Sequence, residues 1–328
     1  MVTSAPSHPD CTHGLLCSSF LRHFLSLLPS SKSHQAATIL KGVLFLLPCR
    51  IRFRPRMLRD VSMLDTRTKI LGTEISFPVG IAPTGFHQLA WPDGEKSTAR
   101  AAKAMGTCYI ASTYSTCSLE EIAAAAPGGF RWFQLYIHRN RAVSRQLVQQ
   151  AEALGFQGLV LTADLPYTGK RRNDVRNGFR LPPHMKLKNL EGSLCCYSSD
   201  EVLFCFMVQG DDRSEYGLPP NSLDPSVTWD DIYWLRSLTH LPIVIKGILT
   251  KEDAELAVRH GVQGIIVSNH GGRQLDGAPA TVSEKMDRSV CVFQGEEGLQ
   301  DVLRILHDEF RLSMALAGKH LQKLEFLF

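Results

Sequence analysis

The sequence predicts an α/β protein of the (β/α)8 TIM-barrel type, incomplete because strands seven and eight are missing. Six short, almost continuously apolar runs alternate with helix-like segments, which is the pattern of a parallel sheet buried on both faces. No G-x-G-x-x-G motif follows the first run, so the alternative, a doubly wound dinucleotide-binding fold, lacks its fingerprint. Each run also ends in a residue able to do chemistry, as the active-site face of a barrel requires.

The composition is that of a globular protein. The 328 residues are 44% hydrophobic and 21% charged, with a net charge of +4 spread along the chain. This balance excludes disordered, fibrous and small disulfide-stapled proteins and disfavours nucleic acid as a partner. Nine cysteines show neither a C-x-x-C pair nor the spacing of zinc ligands, so we expect a reduced compartment and no metal site. No apolar stretch reaches the ~18 residues of a membrane-spanning helix, and no membrane segment is predicted.

Two regions differ along the chain. Residues 1–50 show little periodicity and form a poorly specified segment, whereas residues 51–328 are predicted to form a single barrel domain. The strands of that domain are predicted from the apolar runs at residues 77–83, 107–112, 132–136, 158–164, 242–247 and 264–270.

Helices are predicted between the strands. Ser118 and Glu121 form a capping box at one helix start, and amphipathic helices are predicted over residues 142–154, 252–260 and 296–311. A long loop takes up residues 191–227, and the chain after residue 270 holds one weak strand candidate at 289–293. Two further strand–helix units of ordinary size do not fit there, so the barrel is predicted to lack them.

The strongest local signal is Ser-Asn-His-Gly-Gly-Arg-Gln-Leu-Asp at residues 268–276. A buried strand brings His270 to the carboxyl-terminal edge of the sheet, and the two glycines let the backbone approach a ligand. Asp164 ends another strand, where a carboxylate is able to orient an imidazole and stabilise its cation. A histidine that only caps a strand is the structural alternative.

Further polar residues end the other runs. Lys246 closes a buried run, and an ammonium there requires a negatively charged partner. Gln134 and Tyr136 alternate on one strand, so they face the same side and both are able to bond a planar ligand. The basic residues 170–172 suit an anionic substrate, with a solvated loop as the alternative.

Several spaced motifs together resemble the FMN-dependent 2-hydroxy-acid oxidases, which include glycolate oxidase and the peroxisomal hydroxyacid oxidases. They are Arg-Pro-Arg-Met-Leu-Arg-Asp-Val (54–61), Ile-Ala-Pro-Thr-Gly (81–85), Trp-Phe-Gln-Leu-Tyr (132–136), Lys-Gly (246–247) and the segment 268–276. The resemblance covers residues 51–281 and about 293–318.

The resemblance implies FMN at the mouth of a barrel and a small (S)-2-hydroxy acid that is oxidised while O2 is reduced to H2O2. It places His270 as the catalytic base, Asp164 as its orienting partner, Tyr136 and Tyr114 against the substrate, and Arg171 and Arg273 on the substrate carboxylate. The implied FMN contacts are Pro83, Thr84, Gly85, Ser112, Gln134, Thr162, Lys246 and Ser268.

The sequence also departs from the family pattern. Relatives carry an Asp-Gly-Gly-x-Arg motif and a Gly-Arg-Pro motif that hold the FMN phosphate, but residues 282–292 replace that stretch and neither motif occurs. Tyr114 stands where many relatives have Trp. The resemblance implies peroxisomal residence, yet the chain ends in Phe-Leu-Phe and not in an S-K-L type tripeptide, which leaves the cytoplasm as the alternative.

Three hypotheses remain open from the sequence. The first is an active FMN-dependent oxidase, and the second is a non-catalytic family member that does not hold FMN. The third is an assembly partner of intact relatives, since the family forms homo-oligomers and an open barrel exposes strand edges.

Overall fold

The computed structural model describes residues 54–169, 171–191, 222–281 and 295–319. The predictions for residues 1–50, for the strand candidate 289–293, for Lys170 and for most of the loop 191–227 lie outside the described residues. The chain groups into two compact units, Asp65–Asp301 and a smaller one that includes residues 54–64 and 302–319. The single-domain boundaries stay a prediction.

A five-stranded parallel sheet forms the centre of the larger unit, preceded by an antiparallel hairpin of β1 (Thr68–Ile70) and β2 (Thr73–Ile75). Neighbouring strands in the sheet follow the order of the chain, which is the arrangement of a barrel wall. The strands are β3 (Tyr109–Ala111), β4 (Arg131–Leu135), β5 (Leu159–Thr162), β6 (Ile243–Ile248) and β7 (Gly264–Val267).

The first predicted strand, residues 77–83, was wrong as a full strand. It contributes one isolated parallel bridge, between Ile81 and Tyr109, at the free side of β3. Pro78 and Pro83 flank the bridge and have no N–H group to donate, so pairing cannot extend along the run. The run still lies where the first strand of the barrel was expected.

The helices occupy the connections between the strands. Three of them begin at side-chain caps: Ser118 Oγ accepts from Glu121 N in a complete capping box, Asn140 Oδ1 accepts from Ala142 N, and Thr250 Oγ1 accepts from Asp253 N. The helices are α1 (Glu95–Ala104), α2 (Leu119–Ala125), α3 (Arg141–Ala153), α4 (Arg172–Arg176), α5 (Asp231–Leu238), α6 (Lys251–Arg259) and α7 (Gly295–Leu316).

The two faces of the sheet differ. One face buries large side chains in front of the helices, such as Tyr109, Phe133 and Leu159, all with no exposed surface. The other face carries an apolar cluster near the amino-terminal ends of the strands, formed by Cys108, Ile110, Trp132, Val160 and Val244. The hairpin residues Ile70 and Leu71 pack against this cluster and cover that end.

On the same face as this cluster, the side chains two residues further along each strand are polar. Strand residues alternate between faces, and the register pairs Ile110 with Trp132 and Val160 with Val244. The interior face therefore changes from apolar to polar towards the carboxyl ends, where it carries Ser112, Gln134, Thr162, Lys246 and Ser268.

In the smaller unit, residues 54–64 contact residues 302–319. Arg56 N donates to Ala317 O at 3.0 Å, and Gly318 has a positive φ of 61° close to the Arg56 carbonyl, where a side chain would collide. α7 is longer than the predicted helix at 296–311. In the described chain, no helix is both long enough and apolar enough to cross a membrane.

Candidate active site

His270 and Asp164 meet at the carboxyl-terminal edge of the sheet. His270 Nδ1 lies 2.6 Å from Asp164 Oδ1, and the two side chains are only 14% and 13% exposed. Because a carboxylate only accepts hydrogen bonds, Nδ1 carries the proton in this pair, and the neutral ring then has no proton on Nε2. The arrangement suits a general base that becomes an imidazolium beside a carboxylate.

The local sequence after β7 holds His270 in an unusual backbone conformation. His270 has a positive φ of 57°, followed by Gly271 and Gly272 at 69° and 68°. Ser268 Oγ accepts from His270 N at 3.0 Å, and Asn269 Oδ1 accepts from Gly272 N at 3.2 Å. These contacts fix a turn that a non-glycine residue adopts only when its surroundings enforce it.

Lys246 lies on the other side of Asp164. Its Nζ is 3.9 Å from Asp164 Oδ2, and the lysine side chain is 10% exposed. Gly247, with φ 111°, permits this approach, because a Cβ there would lie 2.7 Å from Asp164 Cβ. The carboxylate is an anionic neighbour of the kind predicted for a buried ammonium.

Gln134 connects three strands through buried hydrogen bonds. Ser112 Oγ donates to Gln134 Oε1 at 3.3 Å, and Gln134 Nε2 donates to Thr162 Oγ1 at 3.1 Å. Thr113 N also donates to Gln134 Oε1, at 3.2 Å. Three side chains predicted to contact FMN are therefore brought together and hold one another in place.

An aromatic stack stands beside this network. The ring centroids of Tyr114 and Tyr136 are 5.0 Å apart with an interplanar angle of 29°, and Phe86 stacks on Tyr114 at 6.5 Å. Tyr136 also packs with Leu165 and Leu223. The two tyrosines predicted to contact substrate thus share one wall of the site.

The predicted contacts at residues 83–85 adjoin the same wall. Phe86 N donates to Tyr114 O at 3.1 Å, and a Cβ at Gly85 would lie 3.2 Å from the Tyr114 carbonyl oxygen. Glycine therefore allows the two loops to approach. Pro83 is half-buried and Thr84 is exposed at this position.

The loops that carry Arg171 and Arg273 are joined by Gln274. Gln274 Oε1 accepts from Gly169 N at 3.0 Å, and its Nε2 donates to the carbonyl oxygens of Asp164 and Tyr167 at 3.0 and 2.9 Å. The structure brings the two loops together, and the contact of both guanidinium groups with a substrate carboxylate stays a prediction.

Gln274 and Asn269 were not predicted to have a role, although both lie within the segment at 268–276. Asn269 N and Asn269 Oδ1 both bond Thr281 Oγ1, at 3.0 and 3.2 Å, besides the contact with Gly272. An amide side chain is able to donate and accept hydrogen bonds at once. The presence of two amide residues beside the predicted base is therefore the sequence feature that could have indicated their roles.

The chemistry of this donor set fits the ring of the implied flavin. Two hydroxyl groups, an amide and an ammonium converge at one edge, and a planar heterocycle with carbonyl and imide groups requires such partners. Among the described residues, Asp164 Oδ2 is buried without a hydrogen-bond donor and has the Lys246 ammonium as its charged neighbour.

Comparison with known proteins identifies the family of this chain. The FMN-dependent dehydrogenase family matches residues 49–285. Bovine 2-hydroxyacid oxidase 2 is 48% identical over 309 residues, covering 82% of this chain and 83% of that protein. Maize glycolate oxidase 1 is 42% identical over 309 residues, covering 82% of this chain and 81% of that protein.

The solved structures confirm the predicted fold class. Mandelate oxidase with (S)-4-hydroxymandelic acid superposes with a TM-score of 0.72 at 31% identity, covering 92% of this chain and 94% of that one. The fold is that of the TIM-barrel flavoenzymes. Together with the sequence match over most of the chain, this shows that the protein belongs to the FMN-dependent dehydrogenase family.

Proposed function

We propose that this protein oxidises a small (S)-2-hydroxy acid to the 2-oxo acid and reduces O2 to H2O2. The contact of 2.6 Å between His270 Nδ1 and Asp164 Oδ1 carries the proposal, because it prepares Nε2 to accept a proton. The names of the relatives, 2-hydroxyacid oxidases and glycolate oxidases, support the substrate class.

The residues of the site divide into three roles. His270 takes a proton from the 2-hydroxy acid, and Asp164 holds the ring and stabilises its cation. Arg171 and Arg273 bind the substrate carboxylate, since guanidinium groups match carboxylates in a bidentate manner. Tyr136 donates to the substrate, and Tyr114 limits the size of the substrate through the stacked wall.

FMN is the cofactor of the family, and the remaining residues of the site are proposed to bind it. Ser112, Gln134, Thr162, Lys246 and Ser268 would hold the polar edge of the flavin ring, and residues 83–85 would contact the ring itself. When bound, FMN supplies the acceptor for the two electrons of the substrate and passes them to O2. The Lys246 cation favours negative charge in the site.

A specific observation favours a second candidate, a family member that does not hold FMN. Only thirteen residues separate Thr281 from Gly295, at the place where relatives carry the phosphate motifs. A single strand–helix–strand unit takes about 30 residues, so two more strands with their helices do not fit there. The flavin phosphate is therefore proposed to be anchored less firmly than the ring.

Titration of the purified apoprotein with FMN, followed by flavin absorbance, separates the two candidates. The oxidase requires a bound-flavin spectrum and then equal amounts of peroxide and 2-oxo acid from a 2-hydroxy acid. If the protein carries no bound flavin in the presence of excess FMN, the oxidase proposal is overturned and the second candidate is supported.

A histidine pair tests the assignment of the base. His270→Gln should lower kcat by about 10²-fold or more while FMN binding persists. The exposed His184 provides the matched control, and His184→Gln should leave kcat unchanged. Equal activity of the two variants would contradict the role of His270.

We also propose a homo-oligomer that resides in peroxisomes, on the family resemblance alone. Light scattering after size exclusion measures the oligomeric state, and co-localisation with a peroxisomal marker measures the second property. A co-purification with an intact relative would instead support the role of an assembly partner.

A further inference from the structure

Glu95 is a completely buried carboxylate at the first residue of α1, outside the set of residues assigned above. Its Oε1 accepts from His87 N at 3.0 Å and from Thr116 N at 2.9 Å. Its Oε2 accepts from Thr116 Oγ1 at 2.7 Å and from Cys117 N at 3.0 Å. One side chain thus satisfies three backbone N–H groups and one hydroxyl group.

These donors belong to two loops that form part of the candidate site. The first loop, residues 83–88, contains the predicted flavin contacts Pro83, Thr84 and Gly85. The second loop, residues 112–117, contains Ser112 and Tyr114. The loops are also joined to each other, since Phe86 N donates to Tyr114 O at 3.1 Å and Gln88 N donates to Thr116 Oγ1 at 3.2 Å.

A carboxylate suits this position better than any other side chain. Both of its oxygens accept from at least one backbone N–H, and an amide would place its own NH2 group against one of those donors. Burial by itself raises the pKa of Glu95, but the hydrogen bonds that the carboxylate accepts from Thr116 and from His87 N lower it overall, so the group is ionised. The start of α1 adds a favourable dipole for the negative charge.

The neighbours of Glu95 complete a buried polar cluster behind the site. His87 Nδ1 lies 2.9 Å from Thr98 Oγ1, and the His87 and Tyr109 rings are 6.2 Å apart. Burial lowers the pKa of His87, so the ring is neutral near pH 7. Glu95 accepts hydrogen bonds from backbone N–H groups of both loops, so we attribute the joining of the loops to its carboxylate.

We propose that Glu95 is a positioning residue that fixes the two loops, and through them the walls that contact the flavin ring and the substrate. The proposal rests on the proposed function for its catalytic consequence. Its structural part, the anchoring of both loops by one carboxylate, is independent of any cofactor.

The first experiment compares hydrogen–deuterium exchange of the apoprotein in three forms: wild type, Glu95→Gln and Glu152→Gln. Glu152 is a matched control because its Oε1 accepts one backbone N–H, from His240, which the carbonyl of glutamine can still accept. We expect the amides of His87, Thr116 and Cys117 to exchange at least tenfold faster in Glu95→Gln only. Unchanged protection of these amides overturns the proposal, whether or not the protein binds FMN.

The second experiment measures the consequence in the holoenzyme. Glu95→Gln should raise the Kd for FMN and the KM for the 2-hydroxy acid at least tenfold in the folded fraction. A merely structural role would reduce the folded fraction and leave both constants unchanged, which would overturn the proposal. If the wild type binds no FMN, the proposed function fails, and the exchange experiment alone decides about Glu95.

If Glu95→Gln does not fold, two less disruptive substitutions of Thr116 provide the test. Thr116→Val removes the hydroxyl that donates to Glu95 and accepts from Gln88 N, whereas Thr116→Ser keeps it. We expect faster exchange at His87 and Cys117 in the valine variant and recovery in the serine variant. Equal exchange in both variants would contradict the proposal that Glu95 fixes the two loops.

Discussion

Replacement of Asp164 by asparagine tests the centre of the site most directly. Asp164→Asn keeps the size of the side chain but removes the charge next to His270 Nδ1, 2.6 Å away. A hydrogen bond to a charged group contributes about 1.5–3 kcal/mol, and 1.36 kcal/mol corresponds to a factor of ten in rate. We therefore expect kcat to fall by about 10- to 150-fold. An asparagine NH2 that faces Nδ1 would also favour the wrong tautomer and reduce the rate further.

The same change also affects Lys246. At 3.9 Å and an effective dielectric constant of about 20, the attraction between its ammonium and the Asp164 carboxylate is about 4 kcal/mol. The stability lost by the apoprotein should be of the same order, about 3–5 kcal/mol if the Lys246 charge stays buried and less where water or side-chain movement compensates. Urea unfolding of the apoprotein measures this loss separately from catalysis.

The assay is peroxide release with a 2-hydroxy acid at saturating FMN, with kcat expressed per bound flavin. Asp253→Asn is the matched control, since it removes a carboxylate that caps α6 through Thr250 and not one that contacts His270. A kcat of Asp164→Asn within threefold of the wild type would refute the assigned role of the carboxylate. A drop of equal size in the control would show that the assay reports general damage.

Four further outcomes are expected. Burial lowers the pKa of His138 to about 4. Below pH 6.5 the unfolded chain therefore takes up a proton that the folded chain does not. The free energy of unfolding should fall by up to about 3 kcal/mol between pH 6.5 and 4. Denaturant unfolding against pH measures this slope, which His138→Leu should reduce. Gly158→Ala would place a Cβ 2.8 Å from the Trp132 ring, and urea unfolding should show a loss of about 1–3 kcal/mol. Ser118→Ala removes the cap of α2, and the same measurement should show a loss of about 0.5–2 kcal/mol. Because residues 282–292 lack the phosphate motifs, FMN and riboflavin should bind with Kd values within about tenfold, and a preference for FMN above about 100-fold by fluorescence titration would contradict this.

The sequence predicted the sheet well because its strands are buried on both faces. The apolar residues 158–161 are typical of a strand buried on both faces, and β5 forms at Leu159–Thr162. The run at 77–83 is also largely apolar, but its two prolines have no N–H group to donate, so pairing is limited to Ile81.

The site was predictable only where its residues end strands. His270 and Asp164 both follow apolar runs, and parallel strands bring such ends together, so their contact follows from the pattern. Glu95 is different, because its partners at residues 87, 116 and 117 belong to loops whose approach depends on tertiary packing. Gln274 likewise bonds the distant Asp164 carbonyl, and no periodicity reveals such a contact.

Binding of FMN requires two things of the barrel, contacts to the flavin ring and contacts to the phosphate, and these are expected from different parts of the chain. The polar groups predicted to contact the flavin ring lie at the ends of β3 to β6, where register holds each strand against the next, as Thr162 against Lys246. Within the described part of the chain, Ser112, Gln134 and Thr162 hold one another through hydrogen bonds between neighbouring strands. Phosphate anchoring, in contrast, is expected to need the motifs that residues 282–292 lack. A chain of this kind is expected to keep the geometry for proton transfer while it loses affinity for the cofactor, so the occupancy of the site by FMN, and not the arrangement of His270, sets its activity.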